Sequence, residues 1–369
     1  MLTMWQRTRD ELGPEKVLLI HEPLVGLEAI VVVDNTAAGP AIGGLRMAED
    51  ITVDEVARLA RAMTFKSAAA GLSHGGGKAG IVGDPGMPRL RRERLVRAFA
   101  DSIRDLTDYI PGPDMGIDES CMAVIHDEIG RAVGLPVVLG GIPLDSLGAT
   151  AFGLAVAADV LDAAGIVTLD GARIVIQGFG AVGTHTARFL TERGAIVMAV
   201  SDSRGGVVND DGLDVEKLLL WKVEGRPVRE FPGGTPCAHQ ALLEMNCDIW
   251  IPAARPDVFT RHTARLAKTK VVLPGANIAV TPDAERLLYE HGVVSLPDFI
   301  VNAGGVICGA AELAGSTARQ AFDLIEERVR ANTSEVLERA ARDGVMPMTA
   351  ARAMAEERVD EMMGYRRRF

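Results

Sequence analysis

Lysine is scarce in this chain. Its 369 residues hold seven lysines against 32 arginines, and only Lys16, Lys66 and Lys78 fall within the first 215. Cysteine is sparse too. Cys121, Cys237, Cys247 and Cys308 form no CxxC pair, so neither a metal site nor a disulfide framework is expected, and they read as small buried hydrophobes in a reducing compartment. Aromatic residues make up 4%, which leaves Ala, Val, Leu and Gly to fill the cores. The net charge of -11 lacks the basic footprint of a nucleic-acid binder. No stretch reads as the ~18 apolar residues of a membrane span. The opening MLTMWQRTRDELG lacks the basic-then-apolar pattern of a signal peptide. A cytoplasmic protein is expected, with no nucleic-acid and no membrane partner.

What is present suits a globular protein of two domains, with 48% hydrophobic and 24% charged residues. The scarcity of lysine makes MTFKSAAAGLSHGGGKAGIVGDP, residues 63–85, conspicuous, because it holds both Lys66 and Lys78. Lysine can lose its proton when desolvated or set beside another cation, whereas arginine effectively never does. Upstream, Thr52 and Glu55 read as a capping box, and Val56, Leu59 and Met63 recur at helical spacing. Lys66 continues that stripe and is expected to point inward. Gly75-Gly76-Gly77 before Lys78 allows close approach of a ligand or positive φ. The bland alternative is a surface helix and a glycine turn with solvated lysines. Strands are expected near residues 17–20, 27–33 and 79–82. DNTAAGPAIGGLRM reads as turns, and Asp114 in PGPDMG as a turn residue at a strand end.

From residue 148 the pattern alternates helix and strand. ARIVIQ, residues 172–177, reads as a buried strand, followed at once by Gly178-Phe179-Gly180-Ala181-Val182-Gly183 and a helix. A second apolar strand ends at Ser201-Asp202, 19 residues after the last glycine. A lone GxGxxG is weak, but strand, glycines, helix and distal acid together are the context of a dinucleotide fingerprint. The glycines admit the pyrophosphate to the helix N-terminus. Asp202 would accept from the ribose hydroxyls and so favours NAD. Ser203 and Arg204 follow, and an arginine there can accommodate the NADP phosphate. Further strands near 247–251, 270–273 and 293–296 each end in a turn: Pro252-Ala253-Ala254, Gly275-Ala276-Asn277 and Pro297-Asp298. In a parallel sheet such turns line the ligand crevice. The basic end Arg366-Arg367-Arg368 reads as a solvated tail.

With MTFKSAAAGLSHGGGK, PGPDMG, the Gly178 fingerprint, CDIWIPAA, GAN and NAGGV in this order, the chain resembles the glutamate/leucine/phenylalanine/valine dehydrogenases. The resemblance runs from about Gly39 to Leu313. It implies an α/β protein of two domains with a cleft between: an N-terminal α/β substrate domain, residues 1–145 plus about 343–369, and a Rossmann-type dinucleotide-binding domain, residues 146–342. It implies reversible NAD(P)-linked oxidative deamination of an L-amino acid to a 2-oxo acid and ammonia, with domain closure excluding water, in a homo-oligomer. Carried over by residue, Lys66 resembles the lysine that holds the substrate α-carboxylate, and Lys78 the lysine that activates water. Asp114 resembles the acid that exchanges protons with the substrate nitrogen. A second cation should favour neutral Lys78 and Asp114 should oppose it, so the three are expected to titrate as a coupled set. Thr150, Ala253, Asn277 and Asn302 match positions near nicotinamide or substrate.

Substrate choice rests on departures from the family pattern. Ile42, before Gly43-Gly44, replaces the lysine that binds the distal carboxylate in glutamate dehydrogenases. Gly309, in the helix that carries Val306, replaces their serine. A buried carboxylate without a cation or donors is costly, so an apolar substrate of the leucine/phenylalanine branch is expected, with glutamate as the alternative. PGPDMG and DEIGRAVGLP look closer to the glutamate branch. Ile117 replaces a usual threonine, and His74 could line the pocket or only pack. The rival in another class is a dinucleotide-binding regulatory subunit that has lost chemistry.

Overall fold

The computed structural model describes residues 9–366. The chain divides into two compact units. Unit 1 takes Met1–Leu144, Val306–Ala321 and Ala353–Phe369, and unit 2 takes Asp145–Gly305 and Phe322–Arg352. Each has its own sheet, so the fold is a two-domain α/β architecture.

Unit 1 is built on strands β1 (Lys16–Glu22), β2 (Leu27–Asn35), β3 (Ala41–Ala48), β4 (Gly75–Val82) and β5 (Tyr109–Gly112), in the order β1-β2-β4-β3-β5. β1, β2 and β4 pair antiparallel, whereas β3 runs parallel to β4 and β5. One face packs on helix α1 (Val53–Ala69) through Ile30, Val32, Val56 and Ala60. The other carries Leu27, Val31, Leu45 and Ile81 onto α2 (Arg89–Ser102) and α3 (Glu119–Ile129). Alternate residues of β2 thus feed opposite cores, as the two-residue period of a strand dictates. Thr52 caps α1 as expected, accepting from the Glu55 N–H at 3.2 Å. The Glu55 carboxylate does not complete the box; it turns to Arg46 at 2.6 Å.

A stretch that reads as turns is a strand, and so is the glycine run expected to approach a ligand or take positive φ. PAIGGLRM contributes β3, and the three glycines before Lys78 open β4. None of Gly75, Gly76 and Gly77 has positive φ. A Cβ at Gly75 would overlap the Asn35 carbonyl, and one at Gly76 would overlap the Thr64 backbone. At Gly77 a Cβ would sit 3.0 Å from the Tyr109 ring. Their use is therefore internal: they let α1 and the neighbouring strands close onto β4.

Unit 2 holds a seven-stranded sheet, ordered β12-β11-β10-β6-β7-β8-β9. Its parallel part is β6 (Arg173–Gln177), β7 (Ile196–Asp202), β10 (Asn246–Pro252), β11 (Lys268–Val272) and β12 (Val294–Ser295). An antiparallel extension, β8 (Gly205–Val208) and β9 (Thr235–Cys237), continues beyond β7. The stretch Leu144–Ala163 is long and apolar enough to cross a membrane, contrary to the expectation above, yet 67% of its apolar 18-residue window lies buried in the protein. Most of it is helix α4 (Ala149–Ala163), whose small residues pack in the core.

The C-terminal helix (Pro347–Gly364) ends in unit 1, where the Arg358 guanidinium donates to the Ala69 carbonyl and Asn35 Nδ2 to Met363 Sδ at 3.5 Å. Arg366 is no free solvated tail, because it pairs with Glu15 at 2.9 Å. Arg367 and Arg368 lie outside the described residues.

Candidate active site

In unit 1 the sequence-distant Lys78, Asp114 and Arg46 meet. Lys78 Nζ lies 2.7 Å from Asp114 Oδ2, and Arg46 Nε lies 3.1 Å from the same oxygen. Lys78 and Arg46 are buried, so the solvated-lysine alternative does not describe them. Asp114 sits in a tight turn closed in both directions with Ile117, Asp114 N–H to Ile117 O at 3.2 Å and Ile117 N–H to Asp114 O at 2.9 Å. Gly116 supplies the positive φ of +79° that the turn requires. The Ile117 side chain is a core residue packed with Met122 and Ile125, so replacing the usual threonine leaves the turn intact.

Electrostatics decide the state of Asp114. Burial alone would raise its carboxyl, but Lys78, then Arg46 and the Met115 N–H, outweigh burial and hold it well below the ordinary range. Below it Tyr109 is fully buried and donates to the Gly43 carbonyl at 2.8 Å. Burial, reinforced by the Asp114 charge, pushes the phenol well above its usual range. Gly44 keeps the floor clear. A Cβ there would lie 2.8 Å from Asp114 Cβ and 3.0 Å from Lys78 Nζ. Sequence reasoning missed Arg46, Tyr109 and Gly44. Arg46 could have been found from strand parity, since it follows Gly44 by two and so shares its face.

Lys66 is buried in the last turn of α1. Ile42 and Val306 are buried. Gly309 does not open a space: a Cβ on it would lie 3.3 Å from Val133 Cγ2, and one on Gly112 would lie 2.9 Å from the same methyl. Val133 thus fills the room that glycine leaves. Its loop is pinned by Glu312, which accepts from Leu135 N at 3.2 Å and Ile142 N at 2.7 Å. His74 is half-buried, burial lowers its imidazole pKa, and its Nδ1 has no hydrogen-bond partner.

In unit 2 the fingerprint glycines form an anion cradle. Gly178 has φ +95°, and a Cβ on it would meet the Ala253 carbonyl at 2.8 Å. A Cβ on Gly183 would overlap the Gly178 carbonyl, while Gly180 faces open space. Gly180 begins helix α5 (Ala181–Thr191), and no side chain caps it. Its first N–H groups are left for a ligand. Phe179 is buried, whereas Ala181 is exposed and Val182 partly so. These residues fit a dinucleotide pyrophosphate.

Asp202 ends β7 but is already engaged. Its oxygens take Lys222 Nζ at 2.6 Å, Val228 N at 3.1 Å and Arg204 N at 2.9 Å. Burial would raise its carboxyl, but these donors keep it below the ordinary range. Beside it a cavity of about 490 Å³ is lined by Ser203, Arg204, Arg229 and His239 among others. Thr150 is the second residue of α4, and a Cβ on Gly305 would lie 3.1 Å from its hydroxyl. Asn302 Nδ2 donates to Asn277 Oδ1 at 3.2 Å and to the Gly275 carbonyl at 3.3 Å.

A dinucleotide cradle in one unit and a buried lysine–aspartate–arginine cluster in the other are the equipment of an NAD(P)-dependent oxidoreductase. Residues 140–367 match the model of the Glutamate/Leucine/Phenylalanine/Valine dehydrogenases, and residues 14–131 match the Glu/Leu/Phe/Val dehydrogenase dimerisation domain. The chain belongs to that family and is an NAD(P)-dependent amino acid dehydrogenase. It is 36% identical over 322 residues to a glutamate dehydrogenase of Aeropyrum pernix, covering 82% of this chain and 77% of that protein. It is 38% identical over 295 residues to an NADP-specific glutamate dehydrogenase of Saccharolobus shibatae, covering 76% and 70%. Its fold is similar to a Leu-bound hetero-hexameric glutamate dehydrogenase of Thermus thermophilus, with TM-score 0.88, 29% identity, and coverage of 100% and 96%. An L-tryptophan dehydrogenase of Nostoc punctiforme shares the fold at TM-score 0.72 and 24% identity, covering 98% of this chain and 99% of that one. The named relatives at 36 and 38% identity are thus glutamate dehydrogenases, and not members of the leucine/phenylalanine branch expected from Ile42 and Gly309.

Proposed function

We propose that this chain is a glutamate dehydrogenase that works with NADP. The observation that carries the substrate is the kinship: the relatives from Aeropyrum pernix and Saccharolobus shibatae, at 36 and 38% identity, are by name glutamate dehydrogenases. The cofactor reading rests on Asp202, whose carboxylate is occupied by Lys222 and two backbone N–H groups. Neutralised in this way it neither serves the ribose freely nor repels a phosphate, and Arg204, Arg229 and Ser203 line a cavity beside it. This reverses the preference for NAD drawn from sequence.

The chemistry assigned to the residues is as follows. Lys66 pairs with the substrate α-carboxylate. A dinucleotide held at the Gly178–Gly183 turn would supply the hydride acceptor for the substrate Cα. Lys78, in its neutral amine form, takes the proton from the water that adds to the resulting iminium carbon. Asp114, held ionised by Lys78 and Arg46, takes a proton from the substrate ammonium before hydride transfer and returns it to the departing nitrogen. Gly178, Gly180, Ala181, Val182 and Gly183 hold the pyrophosphate, and Thr150, Ala253, Asn277 and Asn302 flank the reactive end. The protein acts in the cytoplasm as a homo-oligomer, assembled through the dimerisation domain.

A second reading, an apolar amino acid as substrate, is favoured by Ile42 and by the Val133 methyl beside Gly309. Initial rates at 340 nm with NADP or NAD, and with glutamate, leucine, valine, phenylalanine or tryptophan, separate the two. Glutamate turnover with NADP supports the first reading. Turnover with an apolar amino acid alone overturns it, and silence with dinucleotide binding intact points to a regulatory subunit.

A further inference from the structure

Among the described residues, only two that are not glycine have positive φ: Asp257 at +54° and Ile278 at +47°. A β-branched side chain crowds its own backbone in that region, so Ile278 is held there by its surroundings. Both residues belong to unit 2, and they touch: Asp257 N donates to the Ile278 carbonyl at 2.9 Å. Ile278 directly follows Asn277 of the GAN turn, after β11.

The restraints on this turn come from three sides. Gly275 and Ala276 donate their N–H groups to the Pro252 carbonyl at 2.9 and 2.8 Å. Asn302 grips the Gly275 carbonyl and the Asn277 side chain. The third is Asp298, 8% exposed, whose Oδ2 accepts from the Ile278 N–H. Its other oxygen accepts from Phe299 N at 2.8 Å, and its carbonyl accepts from Asn302 N at 2.9 Å. Asp298 and Asn302 therefore stand at the two ends of one helical turn, Asp298–Val301, and each holds one side of Asn277.

We propose that Asp298 is a positioning residue for the reaction: its carboxylate locks Ile278 in the left-handed backbone conformation and so fixes the direction in which Asn277 presents its amide to the bound ligand. The inference rests on the ligand-contacting role assigned above to Asn277. A carboxylate suits the task because it is a strong acceptor for a backbone N–H. A strained residue next to a ligand contact is the arrangement in which small backbone shifts are costly to rate.

The test compares the wild type with Asp298→Ala, Asp298→Asn, Asn277→Ala and the double variant Asp298→Ala/Ile278→Gly. Three readouts are used: kcat and KM for the amino acid, NADPH affinity by fluorescence, and hydrogen exchange of residues 274–281. Asp298→Ala is expected to speed exchange in that segment alone and to lower kcat roughly 100-fold, with NADPH affinity changed less than about threefold. Asp298→Asn keeps an acceptor and stays within a few-fold of wild type. Glycine at 278 holds positive φ without strain, so the double variant recovers at least about tenfold of the lost kcat. Unchanged exchange or unchanged kcat in Asp298→Ala overturns the proposal. So does a kcat loss that Ile278→Gly fails to rescue, which marks Asp298 as merely structural. An unchanged kcat in Asn277→Ala overturns the role of Asn277 instead, and the positioning role with it. If the wild type turns over no amino acid, the functional reading fails, while the exchange data still decide whether Asp298 holds the turn.

Discussion

Lys78 Nζ and Asp114 Oδ2 stand 2.7 Å apart, and Arg46 shares the same carboxylate oxygen at 3.1 Å. The buried lysine and the aspartate are thus one unit, joined by a third, permanently charged group. Replacing Lys78 by Ala removes the proposed proton acceptor and leaves Asp114 with Arg46. Turnover is expected to fall by about 10³-fold or more, with dinucleotide binding retained, since general base catalysis supplies ~10²–10⁴ of rate. Stopped-flow hydride transfer and NADPH fluorescence on the variant check this. A loss of less than tenfold would remove Lys78 from the chemistry.

The glycine run makes a folding prediction. A Cβ at Gly76 would overlap the backbone of Thr64 in α1. Gly76→Ala is therefore expected to destabilise unit 1 by about 1–3 kcal/mol, the usual cost of overpacking. The melting temperature should fall by roughly 2–4 °C per kcal/mol. Gly180→Ala meets nothing within 4 Å and is expected to leave stability nearly unchanged while weakening dinucleotide binding. Calorimetry with and without NADPH separates the two effects.

Cofactor preference should follow Lys222. Lys222→Ala restores a free negative charge at Asp202, which penalises a phosphate and frees an acceptor for a ribose. The ratio of kcat/KM for NADP to that for NAD is expected to drop by about tenfold or more, the scale of ~1.4 kcal/mol. Arg204→Ala should lower the same ratio. If both variants leave the ratio unchanged, the cavity beside Asp202 has no part in cofactor choice.

For substrate choice, Val133 is the residue to change. Gly309→Ser places an atom against the Val133 methyl, 3.3 Å from where its Cβ would stand, and is expected to impair the enzyme on its own. Val133→Ala/Gly309→Ser relieves that contact. The double variant should recover turnover and gain on glutamate relative to leucine, measured as the ratio of kcat/KM values. An equal loss in both variants would show that Val133 is not what crowds the site.

Glu285 gives a pH dependence of stability. It is buried, and burial together with the Asp298 charge pushes its carboxyl up to about 7, with Arg352 opposing. The unfolded carboxyl ionises near its ordinary value of 4.5, so the folded state holds the extra proton between these two values. Its contribution is complete below about 4.5 and is lost as pH rises to about 7. The loss is on the order of 3 kcal/mol. Glu285→Gln should abolish that slope in denaturant titrations between pH 5 and 8.

Much of the site was legible because its signals are local. Strand, glycines, helix and acid follow one another around Gly178, and Thr52 announces α1. Lys66, Lys78 and Asp114 stood out through residue scarcity and motif order. The features that were misread depend on distant partners. Gly75-Gly76-Gly77 has the composition of a turn, and only the approach of Asn35, Thr64 and Tyr109 makes it a strand. Gly309 told of a missing serine, but not that Val133 stands 3.3 Å from where its Cβ would be. Asp202 suggested a free acid because Lys222, 20 residues later, carries no motif that announces the pair.

The threading of the chain bears on the order in which it can mature. Unit 1 gathers its last pieces from Val306–Ala321 and from Ala353 onward. On a ribosome the five-stranded sheet is complete at Gly112, but the helix that touches Asn35 and Ala69 emerges only after Pro347. Unit 2 has to be nearly finished in the meantime. Unit 1 is therefore completed late, and a chain cut short before Ala353 carries Lys78, Asp114 and Arg46 without the helix that touches Asn35 and Ala69.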